Sequence, residues 1–169
     1  MGFLHIYCGD GKGKTTAAIG LAIRAAGADM KVNFVHLMKG SATSELSSLK
    51  LIPNIKLSRC DRDFGFFRNM SAEDKAEITE CHNNLIKKTV SDNTDIIIFD
   101  EFCSAYNYGL LNKKEVMEVV LRKLKTTEII LTGRDPDKCL LEAADYISEI
   151  KCIRHPYEEG LAARKGIEY

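Results

Sequence analysis

The chain has 169 residues, 45% of them hydrophobic and 28% charged, which suits a single soluble domain with a sizeable core. Its 24 basic and 24 acidic residues cancel, so the overall basic footprint of a nucleic-acid binder is absent. No apolar run reaches membrane-spanning length, and no signal-peptide pattern precedes the first strand-like segment, so a cytoplasmic protein without a membrane partner is expected. The six cysteines are scattered with no C-x-x-C, and the four histidines are isolated. That pattern argues against a structural zinc and for reduced thiols rather than a disulfide framework.

Phe3 to Tyr7 reads as a short buried strand that runs straight into glycines and then into a helix from about Lys14 to Ala26. The helix is rich in Ala, with Ile19, Leu21 and Ile23 around it, so most of its faces are expected to be buried. Gly27 is the expected C-terminal cap. Lys31 to Met38 is a second strand, rich in β-branched and aromatic residues. A less regular stretch from Lys39 to Met70 holds a short helix near Glu45 to Leu51, a strand near Ile55 to Leu57 and a glycine-aromatic loop, DFGFFRNM. Ser71 with Asp74 opens a helix whose apolar stripe is Ile78, Cys81, Leu85 and Val90.

Asp95 to Phe99 is a continuous apolar run, as in a strand buried on both faces. Asn112 with Glu115 opens a helix carrying Val116, Val119, Val120 and Leu124. Glu128 to Leu131 is a strand, Asp135-Pro136 fits the N-cap and first position of a short helix, and Tyr146 to Ile153 is the last strand. Strands alternating with helices predict an α/β fold, a mostly parallel sheet covered on both faces; with the YCGDGKGKTTAAIG run between the first strand and the first helix, the expected class is P-loop NTPase-like (RecA-like). One domain is expected over 1–169. Ligands of such sheets bind beyond the carboxyl ends of the strands, where the glycine loop, Asp100-Glu101 and Thr132-Gly133-Arg134 all fall.

The loop between the first strand and the first helix reads YCGDGKGKTTAAIG. A common phosphate-loop pattern, G-x-x-x-x-G-K-[ST], wants glycine where Cys8 stands. The run that follows keeps Gly9, Gly11 and Gly13, which tolerate the positive φ of an anion-cradling turn. Gly9, Asp10, Gly11, Lys12, Gly13, Lys14, Thr15 and Thr16 are therefore the candidate nucleotide-binding residues, with the helix dipole behind them. Lys14 reaches phosphate oxygens and Lys12 adds charge. Thr15, Glu101 and Asp100 are the candidate ligands of Mg²⁺ (or Mn²⁺). Cys8 at a helix N-terminus has the setting of a reactive thiol, but the reading of a small strand-end residue is preferred. These motifs point to ATP or GTP with a metal. The guanine-specifying N/T-K-x-D tetrapeptide and the protein-kinase signatures do not occur.

Beyond the loop, an ordered set of segments resembles one family. GDGKGKTTAAIGLAIRAAG, VHLMKG, IIIFDE, YGLLNKKEV, LTGRDP, AADYISEI and RHPYEEGLAARKGIEY are similar to the P-loop corrinoid adenosyltransferases, the ATP:cob(I)alamin enzymes, over nearly the whole chain. The resemblance implies transfer of the 5′-deoxyadenosyl group of ATP to the cobalt of a reduced corrinoid, with triphosphate released and ATP bound reversed in the loop. For that reaction Lys14 is the candidate catalytic group on the phosphates, with Lys12 and Arg134 as secondary candidates for the charge of the leaving triphosphate. It also implies a flavoprotein reductant such as flavodoxin, and a homodimer. The family uses a Phe-x-Trp pair to displace the lower axial ligand of the corrinoid. Phe64-Gly65-Phe66 aligns with that pair, with Phe in place of Trp, which makes Phe64 and Phe66 the candidate corrinoid-facing residues. The alternatives are a conventional P-loop nucleotide hydrolase or small-molecule kinase, which would yield ADP, and a regulatory module that binds nucleotide without turnover.

Overall fold

The computed structural model describes residues 2–38 and 43–168. Six parallel strands, β1 (Leu4–Cys8), β2 (Val32–His36), β3 (Ile55–Arg59), β4 (Ile96–Asp100), β5 (Glu128–Thr132) and β6 (Tyr146–Glu149), form one sheet in the order β3-β2-β4-β5-β1-β6. The helices are α1 (Lys14–Ala26), α2 (Ser44–Leu49), α3 (Ala72–Ser91), α4 (Phe102–Asn107), α5 (Lys113–Lys123) and α6 (Lys138–Ala143). β5 lies between the loop-bearing strand β1 and the acidic strand β4, so the ends of all three converge at one edge.

The strand period of two divides the core. Ile97, Phe99, Ile129 and Leu131 face a layer with Ile78 and Ile86 of α3, Phe102 of α4, Val116 and Val120 of α5, and Leu140 of α6. Ile96, Ile98, Ile130 and Phe34 face the other way, against Ala18, Ala22, Ala25 and Ala26 of α1 and Leu49 of α2. Helices therefore cover both faces, as expected. The four alanines form a narrow buried stripe on α1, while Ile19 and Leu21 are half-buried and Ile23 is exposed. That corrects the expectation that most faces of α1 are buried: the fully buried face is made of small side chains, flanked by Ile19 and Leu21, which lets the helix carrying Lys14 and Thr15 sit close to the sheet.

Helix starts follow the sequence signals where a side chain can reach the backbone. Ser71 caps α3 by accepting from the Asp74 N–H while Asp74 bonds back to the Ser71 N–H, a full capping box. Asn112 caps α5. Four expectations are corrected. The cap of α6 is Asp137, not Asp135, because Asp135 is in the left-handed region (φ 48°) and Pro136 belongs to the turn before the helix. The buried stripe of α3 is Ile78, His82, Ile86 and Thr89, because His82 finds polar partners inside the core. β6 ends at Glu149, and the chain then turns along the glycine loop. Cys60 and Cys81 form a disulfide with Cα atoms 6.2 Å apart, so the expectation of reduced thiols throughout is also corrected; Cys60 follows β3 directly and faces the first half of α3. α4 follows β4 directly and was not expected. Lys39 and Gly40 of the VHLMKG stretch lie outside the described residues.

Candidate active site

The loop after β1 is clamped by the segment after β6. The Ile150 N–H donates to the Cys8 carbonyl at 2.8 Å, and the Gly11 N–H donates to the Ile150 carbonyl at 2.8 Å. The Asp10 carboxylate accepts the Cys152 N–H at 3.0 Å. This contact requires glycine: a Cβ on Gly9 or Gly11 would lie 2.4 or 2.7 Å from the Ile150 carbonyl oxygen. Gly9 and Gly13 also take positive φ, 102° and 122°. Cys8 is buried, and desolvation followed by Glu149 raises its thiol pKa, which suits a strand-end residue rather than a nucleophile.

Above the loop opens a cleft of about 730 Å³, lined by Asp10, Gly11, Lys12, Gly13, Lys14, Thr15, Thr16, Glu101 and Arg134 among others. Nearly all the candidate nucleotide residues therefore meet in one place. Lys14 Nζ donates to the Gly11 carbonyl at 2.8 Å. Desolvation, then the Arg134 guanidinium, lower the Lys14 pKa: two cations are held near each other and partly out of water, a setting that favours an anion between them. Lys12 Nζ lies 3.4 Å from Glu168 Oε1.

The acidic side of the site is built on β4. Asp100 is fully buried, and its Oδ1 accepts the hydroxyls of Thr15 at 2.9 Å and Thr132 at 2.7 Å. Nδ1 of the buried His36, opposite Asp100 on β2, is 3.5 Å from Asp100 Oδ2. Asp100 therefore sits beneath the cleft and touches it through Thr15. Glu101 lines the cleft, stands in the left-handed region (φ 60°), and accepts the Ser104 hydroxyl on Oε2 at 2.8 Å.

Several lining residues carried no local signal. Ile19 is on α1, and Ser44, Glu45 and Ser48 are on α2. His155, Gly166, Ile167 and Glu168 come from the C-terminal segment, whose RHP and KGIE stretches are part of the family resemblance. Phe64 and Phe66 do not line this cleft. Phe66 is 75% exposed, with the Arg68 guanidinium 5.8 Å from its ring, whereas Phe64 packs against the core and under Arg62. Phe67 stacks on Tyr108 with centroids 4.3 Å apart.

Similarity to known proteins bears on the fold and on the family. A solved structure with the same α/β arrangement is the flagellar accessory protein FlaH from Methanocaldococcus jannaschii, with a TM-score of 0.59 and 16% identity over 87% of this chain and 70% of that one. At that identity the likeness concerns the fold alone. The corrinoid adenosyltransferase of Escherichia coli (strain K12) is 29% identical over 99% of this chain and 86% of its own length. That of Pseudomonas aeruginosa is 26% identical over 99% and 84%. The family model for ATP:corrinoid adenosyltransferase BtuR/CobO/CobP matches residues 1–169, and the chain belongs to that family.

Proposed function

We propose that the cleft holds ATP so that its triphosphate leaves from the 5′ carbon as a reduced corrinoid takes the adenosyl group. Membership of the family makes the chain a transferase that carries an adenosyl group to a corrinoid. The observation that carries the residue-level reading is the gathering of Lys12, Lys14 and Arg134 with the glycine loop and Glu101 in one cleft.

The cobalt of a cob(I) substrate is a strong nucleophile. It donates an electron pair to the ribose 5′ carbon, a cobalt–carbon bond forms, the C5′–O bond breaks, and triphosphate departs with that bond's pair. No side chain need act as nucleophile or base, so the protein's work is placement and charge. Lys14 turns from the Gly11 carbonyl to the phosphates, and Arg134 and Lys12 take up the charge that grows on the leaving group. The Gly13 N–H and the N-terminus of α1 face the same anion.

The Thr15 hydroxyl, 2.9 Å from Asp100, and the Glu101 carboxylate line one cleft and give a hard-oxygen donor set that fits Mg²⁺ or Mn²⁺. Thr15 and Glu101 would hold the ion and Asp100 would orient Thr15, since Asp100 Oδ1 already accepts two hydroxyls. When bound, the ion withdraws charge from the triphosphate. Phe64 and Phe66 are the residues proposed to press on the corrinoid and exclude its lower ligand, the exposed Phe66 being the better placed to meet it. A flavoprotein such as flavodoxin is the proposed electron donor. A homodimer and a cytoplasmic setting complete the reading.

Lys14→Ala tests the assignment. Turnover is expected to fall by about a hundredfold or more, the scale of one preorganised charge on a leaving group, with the unfolding transition unchanged. Near-normal turnover would remove Lys14 from the reaction.

A further inference from the structure

The mechanism above uses Asp100, Glu101 and Thr15 but not the residue that joins them. Thr132 ends β5, between β4 and β1, and is fully buried. Its hydroxyl donates to Asp100 Oδ1 at 2.7 Å and accepts the Glu101 N–H at 2.9 Å. One oxygen thus holds the side chain of one acidic residue and the backbone of the next. The second contact falls where the chain leaves β4 in the left-handed region, a conformation that few residues with a Cβ adopt unless their surroundings hold it. The β-branched Thr side chain is stiff about χ1, so it fixes both partners from one strand.

The chain then clears the space it needs. Gly133 follows with φ 144°, and a Cβ there would lie 2.7 Å from the Cβ of Cys103 at the start of α4. β5 can therefore press against the same turn that presents Glu101. Thr15, which accounts for the other hydroxyl on Asp100 Oδ1, comes from the first turn of α1, just after the loop that follows β1. The resulting chain Thr15–Asp100–Thr132–Glu101 ties the first turn of α1 to the ends of the neighbouring strands β4 and β5.

We infer that Thr132 is a positioning residue for the metal side of the site, holding Asp100 toward Thr15 and Glu101 toward the cleft. It touches neither substrate nor ion itself. This rests on the reading of Thr15 and Glu101 as the residues that hold Mg²⁺.

The test measures, in the full-length protein, the Mg²⁺ concentration that gives half of the ATP-dependent rise in the unfolding midpoint, and beside it the Mg²⁺ concentration for half-maximal adenosyl transfer at saturating ATP and pre-reduced corrinoid. Thr132→Val keeps the shape and removes both hydrogen bonds. It is expected to raise the half-saturating Mg²⁺ about tenfold, the scale of losing one hydrogen bond to a charged group. Thr132→Ser, which keeps the hydroxyl, should return it to within about twofold of the parent. If Thr132→Val does not fold, Thr132→Ala gives the same readout in a smaller side chain.

Glu101→Gln is measured alongside. A shift in Glu101→Gln without one in the Val or Ala variant overturns the role of Thr132 and leaves the reading of the site intact. No shift in any of these variants overturns that reading, and the role of Thr132 with it. A rise in the Val variant that Ser does not reverse assigns the effect to packing and also overturns the inference.

Discussion

Lys12 Nζ lies 3.4 Å from Glu168 Oε1, so a cation of the phosphate loop is held by the opposite end of the chain. Glu168 is also gripped by Arg164, whose backbone N–H and guanidinium both donate to it, and this holds its carboxyl down at about 2. It is therefore ionised throughout the neutral range, beside a cleft that would take a triphosphate.

Glu168→Gln should free Lys12 for the nucleotide. At low ionic strength the apparent KM for ATP is expected to fall about two- to fivefold, the scale of an exposed ion pair, and the difference should vanish in high salt. Steady-state kinetics at two salt concentrations check this. A rise in KM would instead mean that Glu168 itself holds the nucleotide.

The aromatic loop separates reduction from transfer. Phe66 is largely exposed, so Phe66→Ala should leave the unfolding midpoint unchanged. Its turnover from cob(II) with a flavoprotein reductant should drop about tenfold or more, while turnover from pre-reduced cob(I) stays within about twofold. Phe64→Ala should lose about 1–2 kcal/mol of stability as well, because Phe64 packs against the core. Full cob(II)-dependent activity in both variants would remove the pair from corrinoid binding.

His82 gives the fold an acid limit. It lies in the core with Nδ1 3.3 Å from the Leu110 carbonyl, and its Nε2 accepts the Met38 N–H at 3.2 Å, so the ring is a neutral tautomer. Burial pushes its pKa from 6.5 down to about 4. Below pH 6.5 the unfolded chain takes up a proton that the folded chain refuses. The contribution is therefore complete above pH 6.5 and is lost as pH falls toward 4, by about 3 kcal/mol in all. Urea unfolding at pH 7 and pH 4.5 should show a steep loss in the parent. His82→Gln should be weaker at pH 7 and flatter between the two. Equal slopes would assign the acid sensitivity to another group.

The sequence was most legible where the deciding interactions are local. The YCGDGKGKT run predicts β1, the loop and α1 because glycine freedom and a helix start are properties of adjacent residues. Ser71 and Asn112 predict their helices because a cap reaches only three residues. The acidic ending of β4 was legible too, but not that Asp100 is buried beneath Thr15 and Thr132, since those contacts span 85 and 32 residues.

Local pattern misled where tertiary partners decide. His82 enters the core stripe of α3 because Leu110 and Met38 satisfy its ring. Asp135 loses the cap of α6 to Asp137 because the turn after Gly133 needs a left-handed residue. Pairing of Cys60 with Cys81 depends on where β3 delivers the chain, which spacing alone does not give. Nothing local announces that Glu168 folds back onto Lys12, although the KGIE stretch that carries it is part of the family resemblance.

The most direct test of the account is made without oxygen. The protein is mixed with Mg²⁺, ATP and chemically reduced cob(I)alamin, the absorbance change is followed, and the phosphate product is identified. The expected result is a light-sensitive alkylcobalamin formed with one triphosphate per adenosyl group transferred. Unchanged corrinoid with ADP and phosphate would contradict it and make the cleft that of a conventional nucleotide hydrolase.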